Sequence, residues 1–154
     1  MGAHVSACDR TGIETKAAVA MAGTFGYELD PKEMSAEDKE KVKEQVKDYH
    51  RYYNVIHFGD LYRIIAPTDD EFKCAWEYVA KDKSEALLTV VIKNRAPHDF
   101  LLIKMKGLDP DKMYRDETDG EIYSGALLMN AGINLTDGTL SAGRSFVRYF
   151  TEVK

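Results

Sequence analysis

Apolar side chains recur with helical spacing between residues 35 and 56. The stripe consists of Val42, Val46, Tyr49, Tyr53 and Ile56, at alternating intervals of four and three residues. Ser35 stands directly before a first turn that contains Glu37 and Asp38, which is the arrangement of an N-cap with Asp38 at the capping-box position. The pattern predicts a helix from about Ser35 to about Ile56 that docks its apolar stripe on another surface.

A second helical segment precedes this one. Residues 13–22, IETKAAVAMA, are rich in alanine and contain no glycine or proline, so they predict a shorter and more buried helix. Gly23 ends it, and residues 24–30, TFGYELD, have the composition of a short strand that stops at Pro31. A strand between two helices is an α/β unit, and the rest of its sheet is not evident nearby.

The pattern changes after His57. Short stretches rich in β-branched and aromatic residues follow, namely DLYRIIA, KCAWEYVA, EALLTVVIKN, DFLLIKMKG and SFVRYFTEV. Turn residues separate them, and Asp119-Gly120 and Asp137-Gly138 are strong hairpin signals. This spacing predicts an antiparallel sandwich or barrel, with no helix longer than about two turns from Asp60 to Val153. We therefore expect an α+β chain with α/β structure in residues 1–56 and antiparallel β structure in residues 57–154.

Composition narrows the classes of partner. The net charge of −5 argues against nucleic acid or an anionic membrane as the main partner. Cys8 and Cys74 lie far apart and outside any CxxC motif, which favours free thiols in a reducing compartment over a disulfide, and so a cytoplasmic location. No apolar run approaches the roughly 20 residues of a membrane-spanning helix, and the first residues do not have the pattern of a secretory signal.

The sequence gives little support for a metal site or for a catalytic nucleophile. The acidic residues 108–121 suggest a calcium loop, but Met113 and Tyr114 occupy the positions where an EF-hand needs an oxygen ligand and a glycine, so a polar hairpin connection is favoured. The histidines show no metal-binding spacing, which favours surface or packing roles; they are His4, His50, His57 and His98. Neither GxSxG nor a Walker motif occurs. We expect no metal site.

Glu28 and Asp30 are the carboxylate pair that most suggests glycoside hydrolysis, because retaining hydrolysis uses two carboxyl groups. On a strand, residues two apart point to the same face with roughly 6–7 Å between their Cα atoms. A retaining pair must flank the scissile bond from opposite sides, so this pair is disfavoured as catalytic.

Aromatic residues of the β region admit two interpretations. They could form a sugar-stacking platform, or they could fill the core of the sandwich, and the second interpretation is favoured because aromatic residues dominate such cores. The residues concerned are Tyr62, Trp76, Tyr78, Tyr149 and Phe150.

Several stretches together resemble one family. In chain order they are MGAHVSAC, GTFGYELD, IHFGDLYRI, WEYVAKDKSEAL, KGLDPDKMY and YSGALLMNAGI. The chain resembles, nearly end to end, the C-terminal part of bacterial family 36 glycoside hydrolases, the α-galactosidases. The resemblance implies that residues 1–56 are the last strands and helices of an incomplete (β/α)8 barrel. It also implies that residues 57–154 are the C-terminal antiparallel β-sandwich.

The resemblance also implies a chemistry. Members release terminal α-linked galactose from melibiose, raffinose and related oligosaccharides with retention, using an aspartate nucleophile and an aspartate acid/base without metal or organic cofactor. The family's nucleophile lies in a Lys-Trp-Asp stretch and its acid/base in a later Ser-Asp-Asp-type stretch, and both are expected N-terminal to Met1. We therefore expect no catalytic residue in this chain, no cofactor, and a substrate only for the full-length parent.

The sequence departs from the family's pattern at two places. Met1 falls inside one of the matching stretches, so we expect an internal start. The loop after HVSAC is shortened to DRTG, which leaves any local substrate contact unsupported.

Three hypotheses follow. The first, which we favour, is a catalytically inert C-terminal part of an α-galactosidase whose sandwich caps and stabilises the barrel. The second is a stand-alone carbohydrate-binding module. The third is a structural or oligomerisation domain. The helix stripe could fold back onto the sandwich or the first helix, or it could pair with a second copy of the chain; a homo-oligomer is the expectation we favour, because the strand edges also need partners.

Overall fold

The computed structural model describes residues 3–6, 11–95, 100–136 and 140–154. The helices of this part are α1 (Ile13–Ala20), α2 (Ala36–Phe58) and α3 (Gly125–Asn130). The strands are β1 (Ala3–Ser6), β2 (Phe25–Glu28), β3 (Asp60–Ile65), β4 (Lys73–Val79), β5 (Glu85–Ile92), β6 (Leu102–Ile103), β7 (Met113–Asp116), β8 (Ile122–Ser124), β9 (Ile133–Asn134) and β10 (Ser145–Glu152). Cys8, His98 and Asp137-Gly138 lie outside the described residues.

The N-terminal part is a parallel α/β unit. β1 and β2 pair in parallel, with Val5 opposite Tyr27, and α1 connects them. The predicted strand and the predicted first helix are confirmed, although the helix ends at Ala20 and the strand at Glu28. Within the described residues, neither strand has a second strand beside it.

Local capping begins α2 as predicted. The Ser35 hydroxyl accepts a hydrogen bond from the Asp38 N–H at 3.0 Å and donates one to the Asp38 carboxylate at 2.9 Å. The helix continues to Phe58, where Gly59 ends it. The N-cap satisfies one of the amides that the first turn leaves without a helical partner.

The predicted apolar stripe of α2 is not the face that the protein buries. Val46 and Tyr53 are 36% and 43% exposed, whereas Gln45, Tyr52 and Val55 are buried. Ile56 is shared by both faces. At about 100° per residue, the buried face is rotated by about a quarter turn from the stripe. Tertiary packing selects the buried face of α2, because the helix packs on a sheet whose position cannot be read from the local sequence pattern.

The C-terminal part is built on one antiparallel sheet with strand order β3-β4-β5-β10-β7-β8. A smaller layer of β6 paired with β9, together with α3, covers one face of this sheet and completes the sandwich. The core between the two layers includes Leu88, Ile103, Leu128 and Phe150. The predicted α+β fold with an antiparallel β region is confirmed.

The predicted strands form in whole or in part, but strands β7, β8 and β9 were not predicted, and β7 lies within residues 108–121, which were expected to be a polar connection. Strands β3, β4, β5 and β10 follow the predicted stretches closely, but of the described residues 100–107 only Leu102–Ile103 is a strand. The segment YSGALLMNAGI contains α3, which the sequence analysis did not predict. This helix has six residues, within the predicted limit of about two turns. The hairpin at Asp119-Gly120 joins β7 to β8, with Gly120 at a φ of 82°.

Helices α1 and α2 cover the other face of the large sheet. Tyr52, Val55 and Ile56 form a second hydrophobic cluster with side chains of α1 and of the sheet, including Tyr78, Leu87 and Tyr149. Thus α2 finds its partner within the chain. Since this cluster contains residues from both sides of the predicted boundary between 56 and 57, the division into two domains stays a prediction.

Candidate functional site

A cleft of about 350 Å³ lies where β1 and β2 end and α1 and α2 begin. In parallel α/β folds, ligands bind at this carboxyl end of the strands because helix N-termini and loops converge there. The polar residues that line the cleft include Ser6, Thr11, Lys16, Asp30 and Asp38. One cation among carboxylates and hydroxyls suits a ligand with several hydrogen-bonding groups.

Local sequence chemistry forms the wall of this cleft. The Asp30 carboxylate accepts a hydrogen bond from the Lys32 N–H at 2.8 Å, which turns the chain sharply after β2. Asp38 is engaged in the N-cap of α2 through Ser35. Both carboxylates therefore have structural partners, and neither is placed to transfer a proton without giving up a local contact.

Glu28 and Asp30 do not share a strand face. Because β2 ends at Glu28, Asp30 lies in the following turn, so the expected same-face arrangement is wrong. Asp30 lines the cleft, whereas Glu28 is exposed and its carboxylate is 2.7 Å from Nδ1 of His4. The two groups serve different contacts.

Comparison with family models matches both parts of the chain. The model for the glycosyl hydrolase family 36 C-terminal domain matches residues 73–150, and the Melibiase model matches residues 1–59. The chain belongs to glycosyl hydrolase family 36.

Curated relatives of this family 36 chain are much longer. The bifunctional alpha-galactosidase/sucrose kinase AgaSK of Mediterraneibacter gnavus is 40% identical over 161 residues, which cover 100% of this chain and 17% of the relative. Alpha-galactosidase AgaA of Geobacillus stearothermophilus is 38% identical over 144 residues, which cover 88% of this chain and 19% of the relative.

A solved structure has the same fold. The galactosidase domain of AgaSK superimposes with a TM-score of 0.93 at 39% identity, covering 99% of this chain and 22% of that chain. The family 36 chain thus spans about a fifth of the length of the proteins it matches.

The histidines of the family 36 chain make separate contacts. Nε2 of His57 is 2.7 Å from the hydroxyl of Tyr49, and this hydroxyl is also 3.1 Å from the carbonyl oxygen of Gly23. His50 is exposed. In the part of the chain that the structure describes, no group of three or more His, Cys, Asp or Glu side chains could hold a metal ion. In the acidic segment that was rejected as a calcium loop, Met113 and Tyr114 lie in strand β7.

The aromatic residues are divided between the two faces of the large sheet. Tyr78, Tyr149 and the half-buried Trp76 belong to the cluster beneath α1 and α2, whereas Tyr62 and Phe150 belong to the sandwich core. The five rings therefore cannot form one stacking platform. Phe150 is buried in the sandwich core, as predicted. Tyr78 and Tyr149 are at most 7% exposed but pack on the other face of the sheet, so a place in the sandwich core is wrong for these two.

Cys74 is a free thiol, as predicted, but it is buried. Burial raises the pKa of the Cys74 thiol above its ordinary value, because it disfavours the thiolate. This cysteine is therefore poorly suited to act as a nucleophile.

Sequence analysis missed Thr11 and Lys16 as cleft residues. Their position shortly after a strand and at the beginning of a helix is a usable signal for a ligand-binding loop in a parallel α/β unit. It became usable only once β1 was known to pair in parallel with β2, because that pairing brings the first turn of α1 next to the turn after β2.

Proposed function

We propose that this chain is the C-terminal part of an α-galactosidase. In this proposal, residues 1–56 are the last strands and helices of a (β/α)8 barrel and residues 57–154 are its C-terminal sandwich. The observation that carries the proposal is the parallel β1–α1–β2–α2 unit, whose strands have open edges and whose helices pack on an antiparallel sheet. Parallel sheets are normally covered on both faces and extended by further strands, so this unit suits one segment of a closed barrel.

The whole enzyme would hydrolyse terminal α-linked galactose in oligosaccharides such as melibiose and raffinose, with retention. Both relatives are alpha-galactosidases, which supports this substrate class. Retaining hydrolysis needs two carboxyl groups about 5–5.5 Å apart on opposite sides of the bond. The chain contains no Lys-Trp-Asp sequence, and we place both reacting carboxylates elsewhere in the whole enzyme.

The cleft between Ser6 and Asp38 would then lie at the substrate-facing end of the barrel, where catalytic and binding loops gather. The sandwich would have a structural role. It supports α1 and α2 through Tyr78, Leu87 and Tyr149, and so it holds the turns that form the cleft. No metal or organic cofactor enters this proposal.

We place the enzyme in the cytoplasm. The free Cys74 suits a reducing compartment, and among the described residues no helix is long and apolar enough to cross a membrane. The charge of −5 supports a partner other than nucleic acid.

A homo-oligomer stays a prediction. The outer side of α2 carries the exposed side chains Val46, Tyr53 and Phe58, which a second copy could cover. Sedimentation at micromolar concentration measures the state. If this side forms the contact, Val46→Glu will convert an oligomer to a monomer. If the unsubstituted 154-residue chain is a monomer, the prediction is contradicted.

Hydrolysis of an aryl α-galactoside by the purified chain tests the assignment of catalysis. We expect no release of the aryl group above buffer. The matched variants Glu28→Gln and Asp30→Asn should be indistinguishable from the parent chain. Turnover by the parent chain that either variant abolishes would contradict the proposal and would make that carboxylate a catalytic group.

A further inference from the structure

Glu77 is a fully buried carboxyl group in the sandwich core. It lies in the middle of β4, between Ala75 and Val79, with no exposed surface. Its Oε1 accepts a hydrogen bond from the backbone N–H of Lys106. Its Oε2 is buried and has no hydrogen-bond partner among the described residues. A buried polar atom without a partner is costly, and the cost is greatest when the group is charged.

The segment that Glu77 holds is the turn of residues 104–108, which follows β6. Gly107 has a φ of 71°, and a Cβ at this position would lie 2.3 Å from the ring of Tyr62. On its other side, the Met105 N–H donates to the carbonyl of Leu128 in α3 at 3.0 Å. The turn therefore packs closely against the ring of Tyr62, and a hydrogen bond to the Glu77 carboxyl connects it to the sheet.

Three elements surround the Glu77 side chain. On the neighbouring strands, β3 places Tyr62 and β5 places Leu88 opposite it. The turn contributes Lys106, whose exposed ammonium group points to the carbonyl of Arg63. Farther out, the Lys83 ammonium lies 5.9 Å from the centre of the Tyr62 ring. Of these groups, none forms an ion pair with Glu77 among the described residues.

The environment therefore favours the protonated carboxyl group. Burial raises the pKa of Glu77 from 4.5 to about 8, against the lowering effects of the Lys106 N–H bond and the Lys106 charge. When the turn lifts, water reaches the carboxyl group and its ordinary pKa returns. The closed turn thus binds one proton more than the open turn at neutral pH.

We propose that Glu77 is a proton-dependent latch, which holds the turn of residues 104–108 on the sheet when protonated and releases it when ionised. Release would expose Met105, which belongs to the turn and is buried when the turn is closed. Because opening is linked to the loss of one proton, the fraction of open turn should rise about tenfold for each pH unit between about 5 and 8. Above pH 8, both states are ionised and the increase should stop.

Amide hydrogen exchange measured by NMR between pH 5 and 9 tests the latch in the whole 154-residue chain. The control is Glu77→Gln, which keeps a side-chain oxygen to accept from the Lys106 N–H but cannot ionise. Chemical exchange of an exposed amide also accelerates with pH, and the ratio of rates between parent and variant removes this common effect. We expect the ratio at Lys106 to rise about tenfold for each pH unit up to about pH 8.

A second amide distinguishes a local latch from global unfolding. The Ala80 N–H donates to the carbonyl of Glu85 at 2.9 Å at the far end of β4, and its ratio should stay constant with pH. A constant ratio at Lys106, or an equal rise at Lys106 and Ala80, would overturn the proposal.

A direct titration keeps the proposal testable if the glutamine variant does not fold. The carboxyl carbon of Glu77 can be followed by NMR in the unsubstituted chain. We expect a midpoint near pH 8, with the Lys106 amide resonance moving at the same midpoint. A midpoint near the ordinary value of glutamic acid, or a Lys106 amide that does not follow it, would overturn the latch.

Discussion

Two glycines with positive φ angles have different surroundings. Gly107 has a φ of 71° and lies against the ring of Tyr62, whereas Gly120 has a φ of 82° and a Cβ there would meet no atom within 4 Å. Both positions penalise a side chain through the backbone conformation, but only Gly107 adds a steric clash.

We expect Gly120→Ala to lower the free energy of unfolding by about 1 kcal/mol, from backbone strain alone. Gly107→Ala should cost a further 1–3 kcal/mol or so, because the new methyl group must displace the ring of Tyr62. Urea denaturation of the two variants measures the difference. Equal losses of stability would contradict the close contact between Gly107 and Tyr62.

Sequence reasoning succeeded at residues whose roles depend on their neighbours in the chain. Asp119-Gly120 predicts a hairpin because the dipeptide itself favours the turn. Gly107 gives no such signal, since its requirement comes from Tyr62 on a distant strand. Glu77 is also hidden in the sequence, because a charged residue in a strand is ordinarily expected on the solvent face.

At the scale of elements, the beginning of α2 tests local capping. We expect Ser35→Ala to lower the free energy of unfolding by about 1 kcal/mol, because the Asp38 N–H loses its partner. Ser35→Asn is the matched control, since its side-chain oxygen can replace the hydroxyl as the cap, and it should be nearly neutral. Thermal or urea unfolding checks both variants, and a loss of equal size in Ser35→Asn would argue against capping as the cause.

The buried face of α2 tests how the helix docks. Tyr52 is 9% exposed and its ring centre lies 4.9 Å from that of Tyr149, whereas the adjacent Tyr53 is 43% exposed. We expect Tyr52→Ala to cost about 3–5 kcal/mol of unfolding free energy, as for large aromatic side chains in cores. Tyr53→Ala should cost less than about 1 kcal/mol.

Urea denaturation of this pair also decides between the two candidate faces of the helix. A larger loss for Tyr53→Ala than for Tyr52→Ala would contradict the docked geometry and would restore the stripe predicted from spacing. The sequence could predict the helix and its start, because caps and periodicity act locally. It could not predict the buried face, because the large sheet selects it.

For the whole molecule, one sheet connects two hydrophobic clusters. Its inner face forms the sandwich core, and its other face supports α1 and α2. Direct bonds reinforce the second contact, since the Tyr78 hydroxyl donates to the carbonyl of Ala22 at 2.7 Å and Thr15 donates to Ser145 at 2.9 Å. The antiparallel region was predictable because strands and turns alternate in the sequence.

The candidate cleft was less predictable than the fold. The resemblance located the family because its stretches run in order along the whole chain. The cleft brings the first turn of α1 beside Asp30 and Asp38, and this proximity follows from the parallel pairing of two short strands. Short strands specify their pairing weakly in sequence, so the contacts of Lys16 and Thr11 needed the three-dimensional structure.

The central claim is that this chain serves as the C-terminal part of an α-galactosidase. The most direct measurement replaces the matching segment of AgaA of Geobacillus stearothermophilus with this chain and follows hydrolysis of an aryl α-galactoside. AgaA rejoined to its own segment through the same junction is the positive control, and AgaA without the segment is the negative control. The account predicts that the chimera hydrolyses the substrate and that the truncated protein does not. A folded chimera without activity, beside an active rejoined control, would contradict it.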